Sequence, residues 1–284
     1  MFECTKRIIA VPFCRKFTKK GDYRVGVDWN IKRLYASMLI RINQIKGKLV
    51  AKKKATKWVS YGDSITATNG WQPEVATELG LYHINRGIGG TTIAENGSIA
   101  WIDVNGNFKA RPPRQTQPIG TIEIYSSMCN IQRIDAMIPL DTQIITIMGG
   151  TNDYGTNIPL GKGLPTNENP TFDETTFIGG LCSMIEKIQT RVPYCRIILL
   201  TPIPRQHNGR YEQTNKAGLL TSDYAKAIKE VAAFYAIPCI DLNSMVGWNK
   251  INGAFYLKDG IHPSKIGYER ISEVVIGESK ALDL

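Results

Sequence analysis

The sequence has no apolar run approaching the ~18–20 residues needed to cross a bilayer. Apolar runs such as Ile197 to Leu200 are strand-sized. Histidine is scarce: His83, His207 and His262 are the whole supply, and no two share a ligand spacing. A metal centre is therefore not expected, nor any other cofactor. The six cysteines, at 4, 14, 129, 182, 195 and 239, include no Cys-x-x-Cys pair. That removes zinc-ribbon and thioredoxin-type readings. Cys182, Cys195 and Cys239 fall in segments with core periodicity and read as buried, reduced thiols. Hydrophobic residues at 43% and charged residues at 21% exclude wholesale disorder, collagen and coiled coil. The first residues also lack the pattern of a secretory signal. Lys6 and Arg7 precede only Ile8 to Cys14, broken by Pro12, and Arg15 and Lys16 follow at once. The expectation is a protein made in the cytoplasm.

What the chain does have is an uneven charge. Residues 1–56 hold 15 of the 35 basic and 3 of the 25 acidic side chains, a net +12. That leaves 20 basic against 22 acidic residues, a net −2, for 57–284. The step marks a boundary between a basic N-terminal arm, 1–56, and a near-neutral domain, 57–284. Within the arm, Tyr23, Val25, Val27 and Trp29 alternate as in a strand. Ile31, Leu34, Tyr35, Met38, Leu39, Ile42 and Ile45 recur at helical spacing among Lys32, Arg33 and Arg41. The favoured expectation is that this arm docks on a larger protein assembly or a sister subunit, its apolar stripe covered by the contact. Binding to an anionic polymer or to an anionic membrane surface are the alternatives.

From Trp58 onward, short apolar strands alternate with helical patterns. Strands are expected at Trp58–Gly62, His83–Asn85, Ile144–Met148, Arg196–Thr201 and Pro238–Leu242. Helices are expected at Pro73–Leu79 with Gly80 as the stop, around Phe177–Ile188 behind a Thr171/Glu174 capping box, at Tyr224–Tyr235, and after Pro263. Five strands with intervening helices imply a parallel sheet covered on both faces, an α/β fold. Residues 96–120 interrupt the pattern. Asn105-Gly106, flanked by Trp101, Ile102, Val104 and Phe108, reads as the turn of an inserted hairpin, followed by the Pro-rich segment Arg111 to Pro118.

In an open parallel sheet, ligands collect outside the carboxyl ends of the strands. The segments found there are Gly62-Asp63-Ser64-Ile65-Thr66, Asn85-Arg86-Gly87-Ile88-Gly89-Gly90-Thr91 and Gly149-Gly150-Thr151-Asn152-Asp153. Asp259-Gly260-Ile261-His262 precedes the last helix. These residue types fit acyl transfer. A serine hydroxyl needs a base to become nucleophilic. His262 is the natural base for Ser64, and Asp259 can hold its other nitrogen. The backbone N–H groups of Ser64 and Gly90 and the side-chain amide of Asn152 can stabilise an oxyanion. Each piece also has an ordinary reading: Ser64 as a helix cap, Asn152 and Asp153 as turn residues, the glycine cluster as a phosphate turn, and His262, like His83 and His207, as a structural or exposed histidine.

Taken together, the four blocks resemble the SGNH (GDSL-type) hydrolase family. Its Gly-Asp-Ser block matches Gly62, Asp63 and Ser64. Its second-block glycine falls best on Gly90, with Gly89 as the other register. Its Gly-x-Asn-Asp block matches Gly150, Asn152 and Asp153, and its closing Asp-x-x-His matches Asp259 and His262. The resemblance spans about 57–284. It implies a flavodoxin-like α/β/α sandwich, a Ser64–His262–Asp259 triad, an oxyanion hole of Ser64, Gly90 and Asn152, and no metal.

The loops expected to rim the site, Tyr154 to Asn169 and Arg205 to Lys216, are polar, with Trp71, Trp101, Tyr154 and Tyr211 expected near them. Packing is the competing role for those aromatics. A hydrated substrate suits such loops better than a lipid. The expected activity is short-acyl, O-acetyl ester hydrolysis on an acylated small molecule or polysaccharide. Activity is expected to rise with pH as His262 loses its proton. An attachment arm joined to such a hydrolase is the arrangement of polysaccharide-trimming esterases carried on phage particles, so incorporation into a virion is expected by analogy. The alternative is a catalytically retired module of the same fold serving a structural or binding role.

Overall fold

The structure is a computed structural model. It describes residues 55–103, 108–109, 117–166, 171–206 and 212–283. The arm up to Lys54, the Asn105-Gly106 turn, most of the Pro-rich segment, His207 and Tyr211 lie outside the described residues.

The central sheet contains β1 (Lys57–Gly62), β2 (Tyr82–Gly87), β6 (Ile144–Met148), β7 (Arg196–Leu200) and β8 (Cys239–Ile240) in the order β2-β1-β6-β7-β8. Every pairing is parallel. Counting only these strands, the order is 2-1-3-4-5, the flavodoxin-like arrangement. The order reverses between β1 and β6, so a crevice opens at their carboxyl ends. Gly62 ends β1 directly opposite Met148 at the end of β6. The segments carrying Ser64 and Asn152 therefore leave the sheet side by side.

The strand sequences are nearly all apolar because both faces are covered. Alternate residues feed opposite layers. Val59, Tyr61, Ile145, Ile147, Ile197 and Leu199 pack into one core. Trp58, Ile144, Met148, Ile198 and Leu200 pack into the other. The first core is closed by α3 (Ile131–Met137), α5 (Phe177–Arg191) and α6 (Thr221–Phe234), through Ile134, Leu181, Ile185, Ile228 and Val231. The second is closed by α2 (Gln72–Leu79) and α9 (Lys265–Ala281), through Val75, Ile271 and Val275. Each buried side chain of this size contributes about 1.5–3 kcal/mol. Short helices complete the order: α1 (Ser64–Ala67), α4 (Thr151–Gly155), α7 (Leu242–Met245) and α8 (Gly253–Tyr256). No helix among the described residues is long and apolar enough to cross a membrane.

Several local expectations change. The inserted hairpin is part of a three-stranded antiparallel sheet, β3 (Ile99–Asp103), β4 (Phe108–Lys109) and β5 (Thr121–Tyr125), in the order β4-β3-β5. It runs five residues past the expected end at 120. The cap of α5 is Thr176, whose hydroxyl accepts from Gly179 N, and not a Thr171/Glu174 box. Glu174 instead bonds Lys187 and Ser183 across the helix surface. The last helix is capped by Ser264, and Pro263 lies in a bridge to Leu257. Cys182 is buried, while Cys195 and Cys239 are only partly so, and all three are free thiols.

Gly87 shows how tightly β2 meets α1. A Cβ there would lie 2.2 Å from Ala67 N and 2.6 Å from its Cα. Backbone atoms cannot yield as a flexible side chain can. Gly87→Ala is expected to destabilise the fold by about 1–3 kcal/mol. The check is the urea midpoint at constant slope. An unchanged midpoint would mean that α1 is free to move away from the strand.

Candidate active site

Ser64 opens α1 immediately after β1. Asp63 is the helix cap and its carboxylate accepts from Ile65 N at 2.9 Å. As the first helical residue, Ser64 has a backbone N–H without an intrahelical acceptor. Its Oγ lies 2.9 Å from His262 Nε2. His262 Nδ1 lies 2.7 Å from Asp259 Oδ2. An ionised carboxylate can only accept, so Nδ1 carries the proton and Nε2 is left to accept from the serine hydroxyl. Asp259 Oδ1 also accepts from the backbone N–H of His262 at 2.7 Å and of Ile261 at 3.0 Å. Partial burial alone would raise Asp259. The bonds from His262 and Ile261 outweigh it and hold the carboxyl down at about 2.

The three residues expected to act together are thus in one hydrogen-bonded chain. The groups expected to hold an oxyanion sit beside them. Gly150 turns the chain from β6 into α4 at φ +106, a left-handed conformation that favours glycine. Asn152, two residues on, donates one amide hydrogen to Thr91 O at 2.9 Å and keeps a second. Gly90 has φ +76 and open space where a Cβ would point. A Cβ on Gly89 would come within 3.8 Å of Ser64 Cβ, so this loop passes directly over the serine.

Two buried groups hold these loops: Asp153, which the sequence offered as a turn residue, and Arg133, which it did not single out. Asp153 accepts from Ile93 N at 3.0 and 3.1 Å and from Ala94 N at 3.0 Å, tying the segment after β2 to the one after β6. Arg133 on α3 is fully buried. Its guanidinium donates to Gly62 O at 2.7 Å, to Thr91 Oγ1 at 2.9 Å and to Ser126 O at 2.5 Å, and lies over the Tyr61 ring. No local signal marked it, because an arginine on a short helix reads as a solvated face. The aromatics also differ from expectation. Trp71 is buried against Trp58, and Trp101 is buried with its Nε1–H donated to Glu123. Both serve packing. Tyr154 remains near the site, with the Arg205 guanidinium 4.7 Å above its ring. His83 is structural: it bonds Ser60 Oγ, packs on Trp58, and burial pushes it down to about 4.

Burial also pushes Asp153 up, from its ordinary 3.8 to about 7, against the pull of the Ala94 and Ile93 amides. The folded chain then keeps a proton that the unfolded chain releases near pH 4. The contribution of this carboxyl to stability is fully present below that pH and is lost as pH rises to about 7. The stability difference between the parent and Asp153→Asn should therefore shift against the parent between pH 4 and 7. Urea titrations across that range measure it. A pH-independent difference would show that Asp153 is ionised throughout.

A model of the GDSL-like lipase/acylhydrolase family matches residues 60–270. Among curated proteins none matches the sequence significantly. Among solved structures, a protein from Lactobacillus plantarum is similar at 25% identity and a TM-score of 0.62, covering 81% of this chain and 98% of its own. A possible lipase from Chitinophaga pinensis is similar at 19% identity and a TM-score of 0.56, covering 80% and 99%. A lipase/acylhydrolase from Enterococcus faecalis is similar at 21% identity and a TM-score of 0.50, covering 80% and 96%. With the family match spanning most of the chain and the same fold in these structures, the protein belongs to the GDSL-like (SGNH) lipase/acylhydrolase family of ester hydrolases.

Proposed function

We propose that the protein is a serine esterase in which Ser64, His262 and Asp259 form the catalytic triad. The observation that carries this reading is the continuous chain Ser64 Oγ–His262 Nε2 at 2.9 Å and His262 Nδ1–Asp259 Oδ2 at 2.7 Å. Ser64 Oγ attacks the ester carbonyl as His262 Nε2 takes its proton. Asp259 stabilises the imidazolium that forms. The N–H groups of Ser64 and Gly90 and the free amide hydrogen of Asn152 receive the oxyanion. Collapse breaks the ester C–O bond, and His262 returns the proton to the departing alcohol. A water then attacks the acyl-enzyme with His262 again as base, which releases the acid and restores Ser64.

The substrate we propose is a short-acyl, O-acetylated carbohydrate. The side chains of His262 and Asp259 are 31% and 47% exposed, which suits a substrate approached from water. Two clefts among the described residues lie elsewhere. One is on α2 and α9, lined by Pro73, Glu74 and Lys280. The other is on α3 and α5, lined by Ile131, Asp135 and Arg191. The polar composition of Tyr154–Asn169 supports the same reading.

The test is hydrolysis of a p-nitrophenyl ester series from acetate to decanoate by the parent and by Ser64→Ala. Acetate should be turned over fastest. Ser64→Ala should lose at least about a thousandfold in kcat. Equal rates in parent and variant would remove Ser64 as nucleophile. Rates climbing steadily to decanoate would replace the carbohydrate reading with a lipid one.

We propose further that the basic arm, with net charge +12, attaches the hydrolase to a protein assembly such as a phage particle. The full chain should then associate in gel filtration and protect its arm from trypsin. A compact monomer with a protease-labile arm would overturn that assignment.

A further inference from the structure

The segment that leaves β7 touches both halves of the site. It reads Thr201-Pro202-Ile203-Pro204-Arg205-Gln206. Each proline fixes its φ at about −65°, which leaves this stretch little freedom. At one end it packs on the turn into α4: a Cβ on Gly150 would come within 3.3 Å of Pro202 Cγ. At the other end, Gln206 N–H donates to Gly260 O at 2.9 Å, inside the loop that carries Asp259 and His262. Arg205 stands between these two anchors and is half-buried.

The Arg205 side chain lies along α4. Its Nη1 donates to Thr151 O at 2.7 Å. Its guanidinium carbon is 4.7 Å from the centre of the Tyr154 ring. A Cβ on Gly155 would lie 3.4 Å from the same Nη1, so glycine there leaves the guanidinium room against the helix. α4 needs such support. It has five residues, and its Gly150 cap makes no side-chain hydrogen bond. A helix that short is marginal on its own. The bond to Thr151 O bears directly on Asn152. A peptide unit is planar, so the Thr151 carbonyl, the Asn152 N–H and both Cα atoms move as one body. Fixing the carbonyl therefore fixes the base from which the Asn152 side chain projects. The bonds of Asn152 to Thr91 O and of Asp153 to Ile93 and Ala94 hold α4 from the β2 side. Arg205 holds it from the β7 side, through a charge-assisted bond, which is the stronger kind.

We infer that Arg205 is a positioning residue for the oxyanion donor Asn152. The inference rests on the serine-esterase reading above and adds a residue to it. Arg205 acts through the Thr151–Asn152 peptide, not on the reacting atoms. It holds that peptide so that the second amide hydrogen of Asn152 is aimed where the ester oxygen becomes negative. A donor of this kind works only if it is aimed before the charge develops. The loss of Arg205 should therefore fall on the transition state and leave ground-state binding of the ester unchanged.

The experiment is a double-mutant cycle on the full chain, with kcat and KM for p-nitrophenyl acetate as the readout. Arg205→Met keeps an unbranched side chain and removes every donor. It should lower kcat and kcat/KM together by about ten- to a hundredfold, with KM nearly unchanged. Asn152→Ala should lose about a hundredfold or more. Added to Asn152→Ala, Arg205→Met should cost less than about twofold further, because the donor it aims is gone. A purely structural role would cost the same factor in both backgrounds. Arg205→Lys keeps one charged donor and should fall between the parent and Arg205→Met. If Arg205→Met does not fold, Arg205→Lys is carried through the same cycle. A loss of about threefold or more with Asn152 present, and none without it, then supports the inference. Equal factors in both backgrounds, or a parent-like rate in Arg205→Met or in Asn152→Ala, overturn the inference and leave the triad standing. A parent-like rate in Ser64→Ala overturns the esterase reading, and this inference with it.

Discussion

The site depends on a carboxylate that never touches a substrate. Asp153 is buried between the segments that leave β2 and β6, and it accepts from the backbone amides of Ile93 and Ala94. Those two segments diverge from the sheet on either side of β1. Nothing in the strand pairing brings their ends together again. The aspartate does, and Asn152 beside it adds a bond to Thr91 O. An amide bonded to a buried acceptor cannot be released without a penalty close to the full desolvation cost. The loop carrying Gly89 and Gly90 is thus fixed over Ser64. The burial that makes the contact strong also raises the carboxyl to about 7.

Arg133 does the same for the opposite side of the serine. It caps the carbonyl of Gly62, the last residue before Asp63-Ser64, while also holding Thr91 and Ser126. Burying a guanidinium is costly unless its donors are used and its charge is met. Asp63, itself buried, supplies part of the opposing charge. Burial pushes Asp63 up to about 6, and the Ile65 amide and Arg133 limit the rise. Ser64 is therefore presented by a strand end whose last carbonyl, cap residue and neighbouring loop are all fixed by buried polar groups. This is the preorganisation that the proposed role of Ser64 as nucleophile requires.

The parts of this arrangement that were legible in the sequence are local ones. Apolar runs such as Ile144–Met148 announce buried strands. Gly80 stops a helix whose start Pro73 marks, and each glycine-rich block follows a strand end. Asp259 and His262 are three residues apart, so their pairing is a property of one short loop. What was not legible depends on contacts distant in sequence. Thr121–Tyr125 looks like a weak strand, with Ile122 and Tyr125 exposed, until its pairing with Ile99–Asp103 is seen. Trp71 could line a site or fill a core, and only its burial against Trp58 decides. Thr171 and Glu174 had the spacing of a capping box, but Thr176 stands nearer the helix and the turn through Asp173 aims its hydroxyl at Gly179. Arg133 had no local signature at all, because its meaning lies in three carbonyl and hydroxyl oxygens that the chain gathers from 62, 91 and 126.

The two halves of the site are built by opposite means. The serine half is rigid through burial. The half that carries His262 is a short exposed loop, and Asp259 in it stays ionised through local hydrogen bonds rather than through a buried setting. His262 and Ile261 donate to the same carboxylate that orients the imidazole, so the loop closes on itself. Among the described residues, its ties to neighbouring segments include Gln206 N to Gly260 O and the bridge from Leu257 to Pro263, while Lys258 N to His262 O closes the loop itself. Proximity of the reacting groups is worth several kcal/mol only when the geometry is held within about half an ångström. Under the esterase reading proposed above, the hydrogen bonds within the Asp259–His262 loop are what hold that geometry.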